Sequence, residues 1–206
     1  MEKPVIEGKE IRNFITSELR AIAGEGGKKK IEGYAAVFNE LSEDLGGFRE
    51  KIALGAFSNS IRIDDVRGLW NHNADFPLGR TKAGTLTLEE DKRGLRFVID
   101  PPDTQYANDL LVSIERGDVD QMSFGFRTVK DHWEMEGDDV VRTLIEVKLF
   151  DVSPVTYPAY PQTSAAVRSK LEEFTQADQV AMQEASRKTA QVRNLNRKRK
   201  IQTLSV

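Results

Sequence analysis

A side-chain alternation with a period of two limits this chain more than any other feature. In "GTLTLEEDKRGLRFVID" (84–100), Leu86 and Leu88 alternate with threonines, and after a charged turn Leu95, Phe97 and Ile99 alternate again. Successive side chains on a strand point to opposite faces, so this pattern predicts two strands joined as a hairpin, each apolar on one face. The period returns in "QMSFGF" (121–126), where Met122, Phe124 and Phe126 form an inward stripe and Ser123 and Gly125 share the outward face. A glycine beside the serine leaves room for close approach to the backbone, as by a substrate chain. In "TLIEVKLF" (143–150), Ile145, Val147 and Leu149 share one face and Glu146 and Lys148 the other.

The remaining segments fill in a mainly β chain. "IEGYAAVF" (31–38) reads as a strand and "GEGGKKK" before it as a turn, which together make a hairpin. The P-loop spacing and its Ser or Thr after the lysine are missing, so these glycines do not read as a phosphate cradle. Residues 11–22 are ambiguous: Ile11, Ile15, Leu19 and Ile22 fit a helical stripe, while the lack of caps and the turn that follows allow a strand. "PPDTQYANDLLVSIERGDVDQ" predicts a helix leading into the Ser123 strand. Asp103 or Thr104 caps it, Tyr106, Leu110 and Ile114 recur with Ala107 and Leu111 beside them, and Gly117 stops it. "DHWEMEGDD" (131–139) reads as an acidic loop, and "VVRTLIEVKLFDVSPVTYPAYP" (140–161) as a long extended region ended by prolines.

Near Thr163 the character changes. Glycine and proline vanish, Val167, Leu171 and Phe174 suggest an amphipathic helix, and the chain runs on to the basic "NRKRK" (196–200). The expected division is a domain over 1–163 and a helical or disordered basic tail over 164–206. The fold class is α+β, mainly β with flanking helices.

Composition removes several classes of chemistry. No cysteine occurs among the 206 residues, so disulfides, thiolate metal sites and cysteine nucleophiles are excluded. A formal charge of -3 gives no global attraction to nucleic acid, and no apolar run approaches the ~18 residues of a membrane helix. The start, "MEKPVIEGKE", lacks a signal-peptide core. With only His72 and His132 available, a metal site would need mostly carboxylates.

A serine nucleophile needs a base, and imidazole is the natural one near neutral pH. His132 lies in the charged loop. His72 lies in "GLWNHNADFPLGR", where an apolar strand end gives it a rigid and reachable base. A third group usually holds the imidazole tautomer. Glu146 draws attention on the polar face of its strand, with Asp151 and Asp120 as rival carboxylates.

Taken together, "GYAAVFNE", "KIALGAF", "LWNHNADFPLGR", "KRGLRFVIDPPDT", "IERGDVDQMSFGF" and "LIEVKLFDVSPVTYPAYPQT" occur in the order seen in the prohead maturation serine proteases of tailed bacteriophages. The chain resembles that family from about Ile31 to Thr163. Leu54 stands where the family often has proline, at the start of a short helix. The resemblance implies a compact β-barrel with flanking helices, similar to the herpesvirus capsid maturation proteases. It puts the serine of the M-S-F-G-F motif on Ser123, the histidine of the N-H motif on His72, and the acid of the I-E-V strand on Glu146. Gly125 and Arg127 are candidates for the oxyanion donors. The resemblance also implies an endopeptidase that needs no cofactor and works inside the procapsid in the host cytoplasm. Its substrates would be scaffolding protein or the scaffolding segment of the major capsid protein, and itself, with the tail as a self-processed or targeting segment. An oligomer is compatible with this; a membrane or nucleic-acid partner is not expected. The alternative is an inactive scaffold or assembly protein that keeps the barrel.

Overall fold

The computed structural model describes residues 8–15, 18–157, 167–182, 184 and 188. The chain divides into two units, Met1–Ser164 and Ala165–Val206. In the second, a helix covers residues 167–182, in agreement with the stripe of Val167, Leu171 and Phe174; "NRKRK" lies outside the described residues. Among the described residues no helix is long and apolar enough to cross a membrane.

The first unit is mainly β. Its strands are β1 (Glu10–Ile15), β2 (Arg20–Ala23), β3 (Lys29–Val37), β4 (Arg49–Ile52), β5 (Arg67–Trp70), β6 (Asn73–Arg80), β7 (Leu86–Glu90), β8 (Gly94–Ile99), β9 (Gln121–Glu136) and β10 (Asp139–Val155), with helices α1 (Ser58–Ile63) and α2 (Gln105–Arg116). One sheet has the order β1-β9-β10-β5-β6, with β4 also paired to β10; the other has the order β2-β3-β8-β7. The sheets curl as a half-barrel, with two separate hydrogen-bonded paths among the described residues.

Where alternation was strong, the strands follow it. The β7–β8 hairpin pairs Leu88 with Phe97 and Leu86 with Ile99, and the glycine turn joins β2 to β3. The ambiguous stretch 11–22 contributes strand residues to β1 and β2, because partners on β9 and β3 supply ladders that local propensity could not reveal. The acidic stretch expected to be a loop is also strand. β9 continues to Glu136, turns through Gly137 (φ 65) and Asp138, and returns as β10. Trp133 packs 5.1 Å from the Phe48 ring, and the Arg142 guanidinium lies 5.6 Å over Trp133.

One core fills the space between the sheets and α2. Met122, Phe124 and Phe126 are fully buried in it with Phe97, Leu110 and Leu144, and Phe57 meets Phe124 edge-on at 5.5 Å. Each such side chain contributes about 1.5–3 kcal/mol on burial. α2 presents Ala107, Leu110, Leu111 and Ile114 to this core and ends at Gly117 (φ 80), as its sequence predicts.

Beside the core lies a buried charge cluster. Arg142, 1% exposed, donates to Glu10 Oε2 at 2.8 Å, Glu50 Oε2 at 2.9 Å and Asp131 Oδ2 at 2.9 Å. Arg12 donates to Glu50 at 2.7 and 3.0 Å and to Glu10 at 2.9 Å. These ion pairs join β1, β4, β9 and β10 where apolar contacts stop.

Candidate active site

β9 carries Ser123 one strand in from the edge of its sheet, between Asn13 of β1 and Ser153 of β10. The neighbouring Met122 and Phe124 anchor the strand in the core. Ser123 is itself fully buried instead of facing solvent.

His72 reaches it from a tight turn. Trp70 pairs with Asn73, and the two residues between them, Asn71 (φ 54) and His72 (φ 55), both adopt left-handed backbone. That is the geometry of a two-residue hairpin turn of type I′, and it is unusual for a histidine. The turn is tied to the end of β10: Asn71 N donates to the Pro154 carbonyl at 3.0 Å, and Thr156 N donates to Asn71 Oδ1 at 2.9 Å. Backbone strain held by surrounding bonds is a mark of functional positions. The imidazole Nε2 lies 2.6 Å from Ser123 Oγ.

A β-bulge presents the carboxylate. Leu149 pairs with Phe126 and Asp151 with Gly125, so one extra residue, Phe150, sits in β10 at this point. The bulge moves Asp151 and Ser153 onto the face that Ser123 and Gly125 share, while Val152, opposite Phe124, returns to the core. Asp151 Oδ1 hydrogen-bonds His72 Nδ1 and accepts from Ser153 Oγ at 3.0 Å; Oδ2 takes an ion pair from Lys9 at 2.6 Å. Burial works to raise the Asp151 pKa, but the His72 hydrogen bond, the imidazole charge and Lys9 outweigh it and hold the carboxyl below the ordinary aspartate range. Gly125 makes this possible: a Cβ there would stand 2.5 Å from Asp151 Oδ2 and closer still to Lys9 Cε.

Ser123 and His72 therefore meet as the sequence predicts, but the expected third partner does not join them. Glu146 lies opposite Lys130, well before the bulge, and its Oε1 accepts from Asn59 of α1 at 3.1 Å. Asp151 is the carboxylate on His72. Asp120 is exposed before β9, and His132 is 60% exposed on the hairpin with its Nε2 3.8 Å from Glu134. The signal for Asp151 was a lone acid inside the apolar run "LFDVSPV", since a charge buried there requires a partner. Nothing comparable marks Lys9. Arg127 is exposed opposite Lys148, and Gly125 serves to make space.

Beside His72 and Asp151 a cleft of about 930 Å³ opens between Leu69, Pro77, Leu78, Pro102, Tyr106 and Phe150. At its edge Arg80 pairs with Asp65, and the Arg80 hydrogen bond brings the Asp65 carboxyl down to about 2. Among the described residues no three His, Asp or Glu side chains gather in a way that would hold a metal ion.

A hydroxyl, an imidazole and a carboxylate hydrogen-bonded in one row form the constellation of a serine hydrolase. The family model of the caudovirus prohead serine proteases matches residues 16–177, and the chain belongs to that family; it is a serine protease of phage capsid maturation. Among curated proteins, the prohead protease of Enterobacteria phage HK97 is 29% identical over 165 residues, covering 78% of this chain and 68% of that one. The solved capsid assembly protease of bacteriophage T4 is 12% identical, covers 71% of this chain and 96% of its own, and gives a TM-score of 0.48.

Proposed function

We propose that Ser123 is the nucleophile, His72 the general base and acid, and Asp151 the carboxylate that orients His72, in an endopeptidase acting inside the procapsid. The observation that carries this reading is the unbroken row from Asp151 through His72 to Ser123. Ser123 Oγ attacks the scissile carbonyl as Nε2 takes its proton. The carboxylate accepts a hydrogen bond from Nδ1–H, which fixes the tautomer, and offsets the positive charge that forms on the ring. Collapse of the tetrahedral adduct breaks the C–N bond, and Nε2 returns the proton to the leaving amine. Water then attacks the acyl-enzyme, again activated by His72, and frees the acid and Ser123. The chemistry calls for no cofactor. The apolar cleft beside His72 suits side chains of the substrate flanking the cut.

The substrates proposed are scaffolding protein or the scaffolding segment of the major capsid protein, and the enzyme's own tail beyond residue 163. Support comes from family membership, since the matched family is that of the prohead serine proteases. The test is co-expression with the major capsid and scaffolding proteins of the same phage, followed by mass spectrometry of all termini over time. New termini with the natural chain and none with Ser123→Ala are expected. Identical processing by both would overturn the proposal.

A further inference from the structure

The nucleophile is covered by the protein's own chain. Ser123 has no exposed surface, and the side chains of His72 and Asp151 are only 11% and 3% exposed. A peptide in trans cannot reach a hydroxyl so enclosed. The covering element on one side is β1, which runs antiparallel along β9 with Asn13 opposite Ser123. Two residues of this segment touch the row itself. The Arg12 carbonyl accepts a hydrogen bond from Ser123 Oγ at 2.9 Å, and Lys9 Nζ holds Asp151 Oδ2 at 2.6 Å.

The Arg12 contact conflicts with catalysis. Ser123 has one hydroxyl proton, and a carbonyl can only accept. The Arg12 carbonyl at 2.9 Å competes for that proton with His72 Nε2 at 2.6 Å, and whenever Arg12 holds it the imidazole cannot remove it.

We propose that β1 is an inhibitory strap. It occupies the edge of β9 along which an extended substrate segment pairs, and it must leave before Ser123 can attack. The proposal rests on the reading of Ser123 and His72 given above. β1 ends its sheet, so its departure breaks one ladder together with the ion pairs that Lys9, Glu10 and Arg12 make to Asp151, Arg142 and Glu50. The match to the family model starts at residue 16, just past the end of β1. The strap is held shut by Arg12, whose guanidinium is inserted between Glu50 and Glu10 and lies 5.5 Å over the Phe126 ring. Removing Arg12 would loosen β1 without stranding either acid, since Arg142 still pairs with both. An arriving peptide gains main-chain hydrogen bonds along β9, the usual reward of adding a strand to an exposed edge.

Two full-length variants test the strap, with the rate of Ser123 labelling by a fluorophosphonate as the readout. Arg12→Ala should label about tenfold faster than the natural chain, the loss of charged hydrogen bonds favouring the open form. In the second, Ile15→Cys with Gln121→Cys, the opposed positions of β1 and β9 can be joined, the protein having no other cysteine. Its oxidised form should label at least about tenfold more slowly than the same protein after reduction. Equal rates for Arg12→Ala and the natural chain, or for the oxidised and reduced forms, would overturn the strap and leave the serine protease reading intact. No labelling of Ser123 in any form would overturn both.

Discussion

Leu149 and Asp151 are two positions apart on β10 and yet stand on opposite faces of the sheet, Leu149 against Phe126 and Asp151 against Gly125. The bulge at Phe150 thus decides which acid meets His72. Without it, Asp151 would share the core face with Val147 and Leu149, and the row would lack a carboxylate.

Neutralising Asp151 and Glu146 in turn separates the two acids. Asp151→Asn should lower turnover by about 10⁴-fold, the scale found when this carboxylate is neutralised in serine proteases, while Glu146→Gln should stay within about twofold, since the Glu146 carboxylate is turned to Asn59 of α1 and not to His72. Cleavage rates on a capsid-protein substrate check both, with circular dichroism to verify folding. Comparable losses would return Glu146 to the mechanism.

Gly125→Ala tests the space beside Asp151. The end of Lys9 can swing away from an added Cβ, but the carboxylate can yield only by turning from His72. A displacement near 1 Å in such a row costs about 100-fold in rate. Turnover should therefore fall by that much with little change in melting temperature, and an unaltered rate would contradict the assigned role of the glycine.

Arg142 is the hub of the buried charges. Arg142→Ala takes the cation from Asp131 and leaves Arg12 as the one arginine for Glu10 and Glu50 in a site nearly closed to water. Breaking buried pairs of this kind costs about 3–5 kcal/mol. Urea unfolding should show a loss in that range, whereas a change below about 1 kcal/mol would mean that water reaches the cluster.

Acid should weaken the fold through the same cluster. Burial acts to raise the Glu10 pKa, but the Arg142 hydrogen bond and the charges of Arg142 and Arg12 prevail, and the net shift is downward. Asp151 is shifted the same way. A carboxyl with a depressed folded-state pKa contributes stability above its unfolded value, and this stability is lost as pH falls through the folded value. Melting temperature should therefore hold steady down to the ordinary carboxylate range near pH ~4 and then decline. Glu10→Gln should melt lower at neutral pH and decline less on acidification. Parallel curves for the two proteins would exclude Glu10 as a source of the slope.

The sequence revealed most where the determinants are local. Alternation at Leu86, Leu88, Leu95 and Phe97 gave the β7–β8 hairpin, and the spacing of Tyr106, Leu110 and Ile114 gave α2. Ser123 and His72 were legible from short motifs and come together in space. What escaped depends on pairing. Trp133 and Met135 look like loop residues until Arg142 and Val140 stand opposite them. Strict alternation along "IEVKLFDV" favours Glu146 on the polar face, and the bulge that reverses the count has no local mark in residues as ordinary as Leu149 and Phe150. The burial of Ser123 was equally hidden, because the strand beside it comes from the opposite end of the domain.

The bonds that steady the imidazole set a limit on trimming. Pro154 and Thr156, which hold Asn71, lie only a few residues past Asp151, close to where the tail begins. Shortening of the C-terminus can leave the enzyme competent only if each cut falls beyond Thr156. A break upstream of that point would release the histidine turn and cost the site its base, whichever protease made the cut.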